Sequence, residues 1–152
     1  MSQLRLTIDS DLNDVYLVAL AVNKVCEHIG MSEIQAFQVE LCTAEAATNA
    51  IRHSCGNRTG HEVSVTVTIG DNRLDLEVAS AGASMPAEQA ERLTRTLGGI
   101  ELDEVDIESL PEGGMGLQII CKVMDEVSYA NEGQVNYLRM TKFFSRSEEA
   151  NT

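Results

Sequence analysis

The sequence predicts an α+β two-layer sandwich, a mixed, mostly antiparallel sheet with helices on one face. Three observations lead there. Strand-like segments come as hairpin-forming pairs, helix-like segments come in runs, and the two central strand segments carry a polar set opposite their apolar set. The last feature belongs to a sheet with one solvated face. At 152 residues, one domain over 1–145 is expected, with 146–152 as a disordered tail.

Leu4, Leu6 and Ile8 alternate and predict an opening strand. Val15, Val18, Ala19, Val22, Val25, Cys26 and Ile29 recur at helical spacing until Gly30 stops them. Ser32 followed by Gln35 is a capping box for a second helix. Its expected buried stripe is Ile34, Phe37, Leu41, Ala44, Thr48 and Ile51, running on to His53 and broken by 55–60. Val63, Val65, Val67 and Ile69 alternate, as do Leu74, Leu76 and Val78, and Gly70-Asp71-Asn72 between them reads as a hairpin turn. Ser64, Thr66, Thr68, Arg73, Asp75 and Glu77 form the polar counterpart. Pro86 is expected to open a helix over 86–97, followed by a Gly- and acid-rich loop to about 114. Leu117, Ile119, Ile120, Val123 and Met124 predict a further helix. Two final strands, about 126–130 and 134–143, flank Asn131-Glu132-Gly133.

Charge narrows the function classes. With 24 acids against 11 bases the formal net charge is -13, which disfavours nucleic acid and anionic membranes and suits a basic protein partner. No apolar run approaches the roughly 20 residues that span a bilayer, and MSQLRLTIDSD lacks the layout of a signal peptide. Cys26, Cys42, Cys55 and Cys121 form no C-x-x-C pair and read as free thiols, so the expected compartment is the reducing cytoplasm.

Three constellations could carry chemistry. Glu45 and Asn49 stand at i and i+4 on the second helix, at the rim of its buried face, with small residues at 44, 46, 47 and 50. A carboxylate there can orient a hydroxyl and a carboxamide oxygen can ligate magnesium, although such a pair also suits a plain solvated helix face. Gly113-Gly114-Met115-Gly116-Leu117 opens a helix, where backbone N–H groups suit phosphate, or it is simply a loop-to-helix turn. Val78-Ala79-Ser80-Ala81-Gly82-Ala83-Ser84-Met85-Pro86 is a small-residue turn after a strand.

Taken in order, the E-x-x-x-N helix, hairpin, small-residue turn and G-x-G-L helix start resemble the Bergerat-type ATPases of gyrase, MutL and the histidine kinases. Within that superfamily, Thr43-Ala44-Glu45-Ala46-Ala47-Thr48-Asn49-Ala50-Ile51-Arg52-His53 looks like the bacterial anti-sigma-factor serine kinases, over about residues 8–143. The resemblance implies a histidine-kinase-like ATPase fold and ATP with Mg2+ as cofactors. It implies Glu45 as the base for a hydroxyl nucleophile and Asn49 as the magnesium ligand. The implied nucleotide site comprises Asn49, Ser80, Gly82, Gly114, Met115, Gly116, Leu117 and Gln134, with 87–112 as its lid. The implied partners are an antagonist protein with a phosphorylatable serine, a sigma factor and a second copy in a homodimer. That homodimer is expected through the first strand and first helix, where Tyr16, Leu17 and Leu20 lie off the buried stripe.

The chain departs from the family's pattern at the base-binding turn. The usual D-x-G-x-G reads Ser80-Ala81-Gly82-Ala83-Ser84, and Gln134 replaces the threonine that follows the hairpin glycine. A neutral acceptor contributes about 1 kcal/mol where a charged one contributes about 1.5–3, so nucleotide affinity is expected to be weakened. The lid segment carries Glu101, Asp103, Glu104, Asp106, Glu108 and Glu112, expected to face solvent, while Arg92 and Arg95 could face phosphates or serve solubility. Two readings follow: an anti-sigma serine kinase, or a partner-binding module of the same fold with weak or lost ATP binding.

Overall fold

A computed structural model describes residues 1–82, 84, 85, 87 and 115–146. Its strands are β1 (Ser2–Asp9), β2 (Glu62–Ile69), β3 (Arg73–Ala81), β4 (Glu126–Glu132) and β5 (Val135–Phe143). The helices are α1 (Val15–His28), α2 (Glu33–Asn49) and α3 (Met115–Val123). The expected helix over 86–97, the lid over 87–112 with its acids and Arg92 and Arg95, and the tail from 147 lie outside the described residues, apart from Ala87.

Among the described residues the sheet has five strands in the order β1-β2-β3-β5-β4. All four pairings among the described strands are antiparallel, the extreme of the mostly antiparallel sheet expected. Alternation fixes the register. Val63, Val65 and Val67 of β2, Leu74, Leu76 and Val78 of β3, and Leu138 and Met140 of β5 are all buried on the helix-covered face. Fully burying a side chain of this kind contributes about 1.5–3 kcal/mol, and a one-residue slip would turn the whole set to water. The opposite face is held by cross-strand polar pairs. Glu77 stands opposite Arg139 and Asp75 opposite Thr141. Arg139 donates to Glu77 at 2.8 Å, and the Thr141 hydroxyl donates to Asp75 at 2.6 Å. Ser64, expected among the solvated residues, is buried because β2 lies between β1 and β3.

The helix stripe of α1 falls as expected, with Val15, Val18, Ala19, Val22 and Cys26 buried. A 3-10 turn, Leu12–Asp14, precedes it, capped by the Asp11 side chain. The stripe expected for α2 is corrected. Ile34 and Phe37 are exposed, and Leu41, Ala44 and Thr48 are half-buried. The helix instead buries Ala36, Val39, Cys42, Thr43, Ala46 and Ala47. Small side chains let α2 sit close between α1 and α3, which the wider Ile and Phe face would prevent. Of the expected set Ile51 is the one fully buried residue, and it lies past the α-helix proper, while Ala44 packs at the core's edge.

Candidate functional site

The site is built on the C-terminal half of α2. Its N-terminus is fixed by the capping box, Gln35 N–H to Ser32 Oγ at 3.1 Å and Ser32 N–H to Gln35 Oε1 at 3.4 Å. The expected continuation to His53 is not α-helical. After Asn49 the chain widens into a π-helical turn, Ala50–Ser54, and Cys55 N–H donates to the Ala50 carbonyl at 3.1 Å. Such a turn carries an extra residue per turn and re-aims the side chains beyond it. Here it sends His53 and Ser54 toward the sheet, into the same cavity as Asn49.

That cavity lies between α2, its π-turn and the ends of β3, β4 and β5. Asn49, His53 and Ser54 line one side, Val78 and Ser80 the floor, and Met85, Tyr129 and Asn136 the other side. No Asp, Glu, Lys or Arg lines it among the described residues. Its interior volume is about 30 Å³, room for about two waters. Ser80 and Asn136 are directly opposite in the β3–β5 register, and both are buried.

A hydrogen-bond network ties the walls together. Asn136 Nδ2 donates to Ser54 Oγ at 2.9 Å, and Asn136 Oδ1 accepts from the Tyr129 hydroxyl and from Asn131 Nδ2. The backbone N–H of Met85 donates to the Tyr129 oxygen at 2.6 Å. Ser54, Tyr129 and Asn136 are absent from the sequence-based site. The available signal was Asn136, a polar residue in phase with the inward-facing Leu138 and Met140, three strand-mates of one face.

Gly82 follows the floor residue Ser80 by two positions, just past the end of β3. Its φ is +140°, and a β-carbon there would lie 1.8 Å from the Ser54 carbonyl oxygen. Its N–H donates to the Gln134 carbonyl at 3.2 Å. Gly133 (φ 59°) and Gln134 (φ 68°) form the tight β4–β5 turn, whose positive φ values match the twist of the strands. The fold therefore brings Ser80, Gly82 and Gln134 to one corner, with Gln134 engaged through its backbone.

Glu45 lies one turn before Asn49 and outside the cavity lining, half-buried. Its partner is the start of α3: a β-carbon on Gly116 would sit 2.7 Å from Glu45 Oε2. Met115 opens α3 and Leu117 is half-buried. Gly114 lies outside the described residues. The geometry thus sets a carboxylate beside a helix N-terminus and a carboxamide beside a neutral polar cavity. Oxygen donors of this type suit a hard divalent cation that takes its other ligands from phosphate and water. No cluster of three or more metal-ligating side chains exists among the described residues. The thiol of Cys42 on α2 is pushed up to about 12, chiefly by burial, so it is no nucleophile at neutral pH.

An antiparallel sheet with helices on one face, an E-x-x-x-N helix and a cavity at the strand ends define an ATPase-type domain. The chain belongs to the histidine kinase-like ATPase domain family, whose model matches residues 8–142. It is 31% identical to the "Serine-protein kinase RsbW" of Bacillus licheniformis over 87% of this chain and 80% of that one. It is 26% identical to the protein of the same name in Bacillus thuringiensis, over 98% of this chain and 89% of that one. Among solved structures it is similar to the catalytic domain of histidine kinase ThkA, with TM-score 0.55 and 12% identity over 97% of this chain and all of that one. A mycobacterial sensor histidine kinase, MprB, gives TM-score 0.52 and 14% identity over 95% of this chain and all of that one. The family resemblance read from the α2 motif and the expected fold are borne out.

Proposed function

We propose that the chain is a cytoplasmic regulatory serine kinase of the anti-sigma type, which phosphorylates an antagonist protein and, in its other state, sequesters a sigma factor. One observation carries this reading. The fold brings Glu45 against the start of α3 and, one turn on, Asn49 into the cavity floored by Ser80. The relatives named as serine-protein kinases support the choice of acceptor.

In this reading the Asn49 side-chain oxygen would hold magnesium, and Ser80 and Gly82 would border the site of the base. The backbone N–H groups of Met115, Gly116 and Leu117, with Gly114 in the same motif, would serve the phosphates. Bound magnesium supplies charge neutralisation of the phosphate oxygens. Glu45 orients the serine hydroxyl and takes its proton as the Oγ–P bond forms and the bond to the departing ADP oxygen breaks. The α3 N-terminus beside Glu45 adds positive potential where charge accumulates. The homodimer belongs to the same reading. Among the described residues β1 pairs only with β2 and leaves one edge open, and Tyr16, Leu17 and Leu20 of α1 are 67%, 64% and 54% exposed.

A second reading, a partner-binding module with weak or lost ATP binding, is favoured by the cavity itself. No carboxylate lines it among the described residues, and its small interior is bridged by the Ser54–Asn136–Tyr129 network. Calorimetry with Mg-ATP and Mg-ADP, followed by transfer of labelled γ-phosphate to a serine-bearing antagonist, separates the two. Binding with transfer supports the kinase, and no heat with intact partner binding supports the module.

A further inference from the structure

The cavity floor is unusual in the chemistry of its polar atoms. They belong to hydroxyls (Ser54, Ser80 and Tyr129), carboxamides (Asn49 and Asn136) and the His53 imidazole, with no carboxylate among the described lining. A carboxylate only accepts hydrogen bonds, whereas a hydroxyl donates or accepts as its proton rotates. The difference matters for a purine. The 6-position of adenine is an amino donor and that of hypoxanthine or guanine a carbonyl acceptor, and N1 changes in the opposite sense.

The network decides which atoms remain adaptable. Asn136 Oδ1 is taken by Tyr129 and Asn131, and its Nδ2 donates to Ser54, which fixes the amide orientation. The Tyr129 proton goes to Asn136, and its oxygen takes the Met85 N–H. Ser54 acts as acceptor in its bond to Asn136, so its own proton can turn elsewhere. Ser80, 4% exposed and opposite Asn136, lies outside these bonds. With Asn49 given to magnesium in the proposed reading and His53 exposed at the rim, the atoms left to meet a base edge are the two hydroxyls of Ser54 and Ser80, of interchangeable polarity.

We infer that the cavity over Ser80 accepts a 6-oxopurine nucleotide about as readily as an adenine nucleotide. The inference rests on the reading of this cavity as a nucleotide-base site. A site with a fixed acceptor rejects the analogue that cannot donate to it, by as much as about 10⁴-fold, because a buried polar group is then left unpaired. Two rotatable hydroxyls remove that penalty for both bases.

The test is binding of Mg-ATP and Mg-ITP to the full chain and to Ser80→Asp, by calorimetry. ITP isolates the 6-position because it lacks the 2-amino group of GTP. The wild-type dissociation constants should agree within about fivefold, and Ser80→Asp should favour ATP by more than about tenfold. A wild-type preference for ATP above about tenfold overturns the inference while leaving the nucleotide site standing. No binding of either nucleotide overturns the nucleotide reading and this inference with it. Should Ser80→Asp fail to fold, Ser80→Ala serves: equal weakening of both nucleotides supports the inference, and selective loss of one overturns it.

Discussion

Gly116 of α3 faces Glu45 of α2 so closely that a methyl group on the glycine would lie 2.7 Å from the carboxylate oxygen Oε2. The obstacle is the far end of a flexible side chain, since Glu45 Cβ and Cδ stand at 3.6 Å. Gly116→Ala is therefore expected to displace the carboxylate without breaking the fold. Alanine inside a helix is favoured over glycine by up to about 1 kcal/mol, so the melting temperature should hold or rise while phosphoryl transfer falls. Parallel melting and transfer assays check it. Unchanged transfer would mean that the placement of Glu45 is irrelevant to the reaction.

Gly82 gives the opposite expectation. A β-carbon there would meet the Ser54 carbonyl oxygen at 1.8 Å, and the backbone sits at φ +140°. Neither obstacle can yield cheaply, because one is main chain and the other is a conformation that L-residues avoid. Backbone strain alone costs about 1–3 kcal/mol, and displacing the π-turn adds to it. Gly82→Ala should lower stability by more than about 2 kcal/mol in a denaturant titration.

Glu45→Gln keeps the shape of the side chain and removes the proton acceptor. Transfer to the antagonist should drop by about 10²-fold or more, with the melt and partner binding unchanged. Transfer at the parental rate would exclude Glu45 as the base.

Burial pushes Cys26 and Cys42 up to about 12 and Cys121 up to about 11 from an ordinary 9.0. A raised folded-state value means that the folded chain holds these protons more tightly than the unfolded chain. Their contribution is complete below pH 9 and is lost as pH rises from 9 toward 12, by at most about 1.4 kcal/mol per pH unit for each thiol. Cys26→Ala should lower stability at pH 7 by opening a cavity, yet flatten the alkaline decline. Urea titrations at pH 7, 9 and 10.5 check both signs.

The sheet was legible because alternation is a local signal. Val63, Val65 and Val67 announce both a strand and its buried face, and no distant contact can change the period. The face of α2 was not. Ile34 and Phe37 are large and apolar, so hydrophobicity alone assigns them to the core, yet the helix packs on Ala36, Ala46 and Ala47, where closeness of approach outweighs side-chain area. Glu45, Asn49, Ser80 and Gly82 were readable as motif residues; Asn49 and Ser80 line one cavity, while Glu45 lies against Gly116 and Gly82 against the Ser54 carbonyl. Ser54 and Asn136 were not readable, because their meeting depends on a π-turn and on a pairing of residues 82 positions apart.

The remaining prediction concerns self-association through β1 and α1. β1 lies at the sheet edge with Leu4 40% exposed, and α1 presents Tyr16, Leu17 and Leu20 to solvent. An open edge and an apolar helix face on adjacent elements can be covered together by a second copy. Opposing this, each copy carries a formal charge of -13. Repulsion between like-charged copies is long-ranged at low salt, whereas at 0.1 M salt the screening length is about 10 Å and apolar burial is unaffected. Sedimentation at tens of micromolar should therefore show more dimer at moderate salt than at low salt. Leu17→Glu adds charge to the proposed contact at a position 64% exposed in the single copy, so it should abolish the dimer while changing stability by less than about 0.5 kcal/mol. A monomer under both salt conditions would overturn the homodimer and leave the exposed face for a different protein.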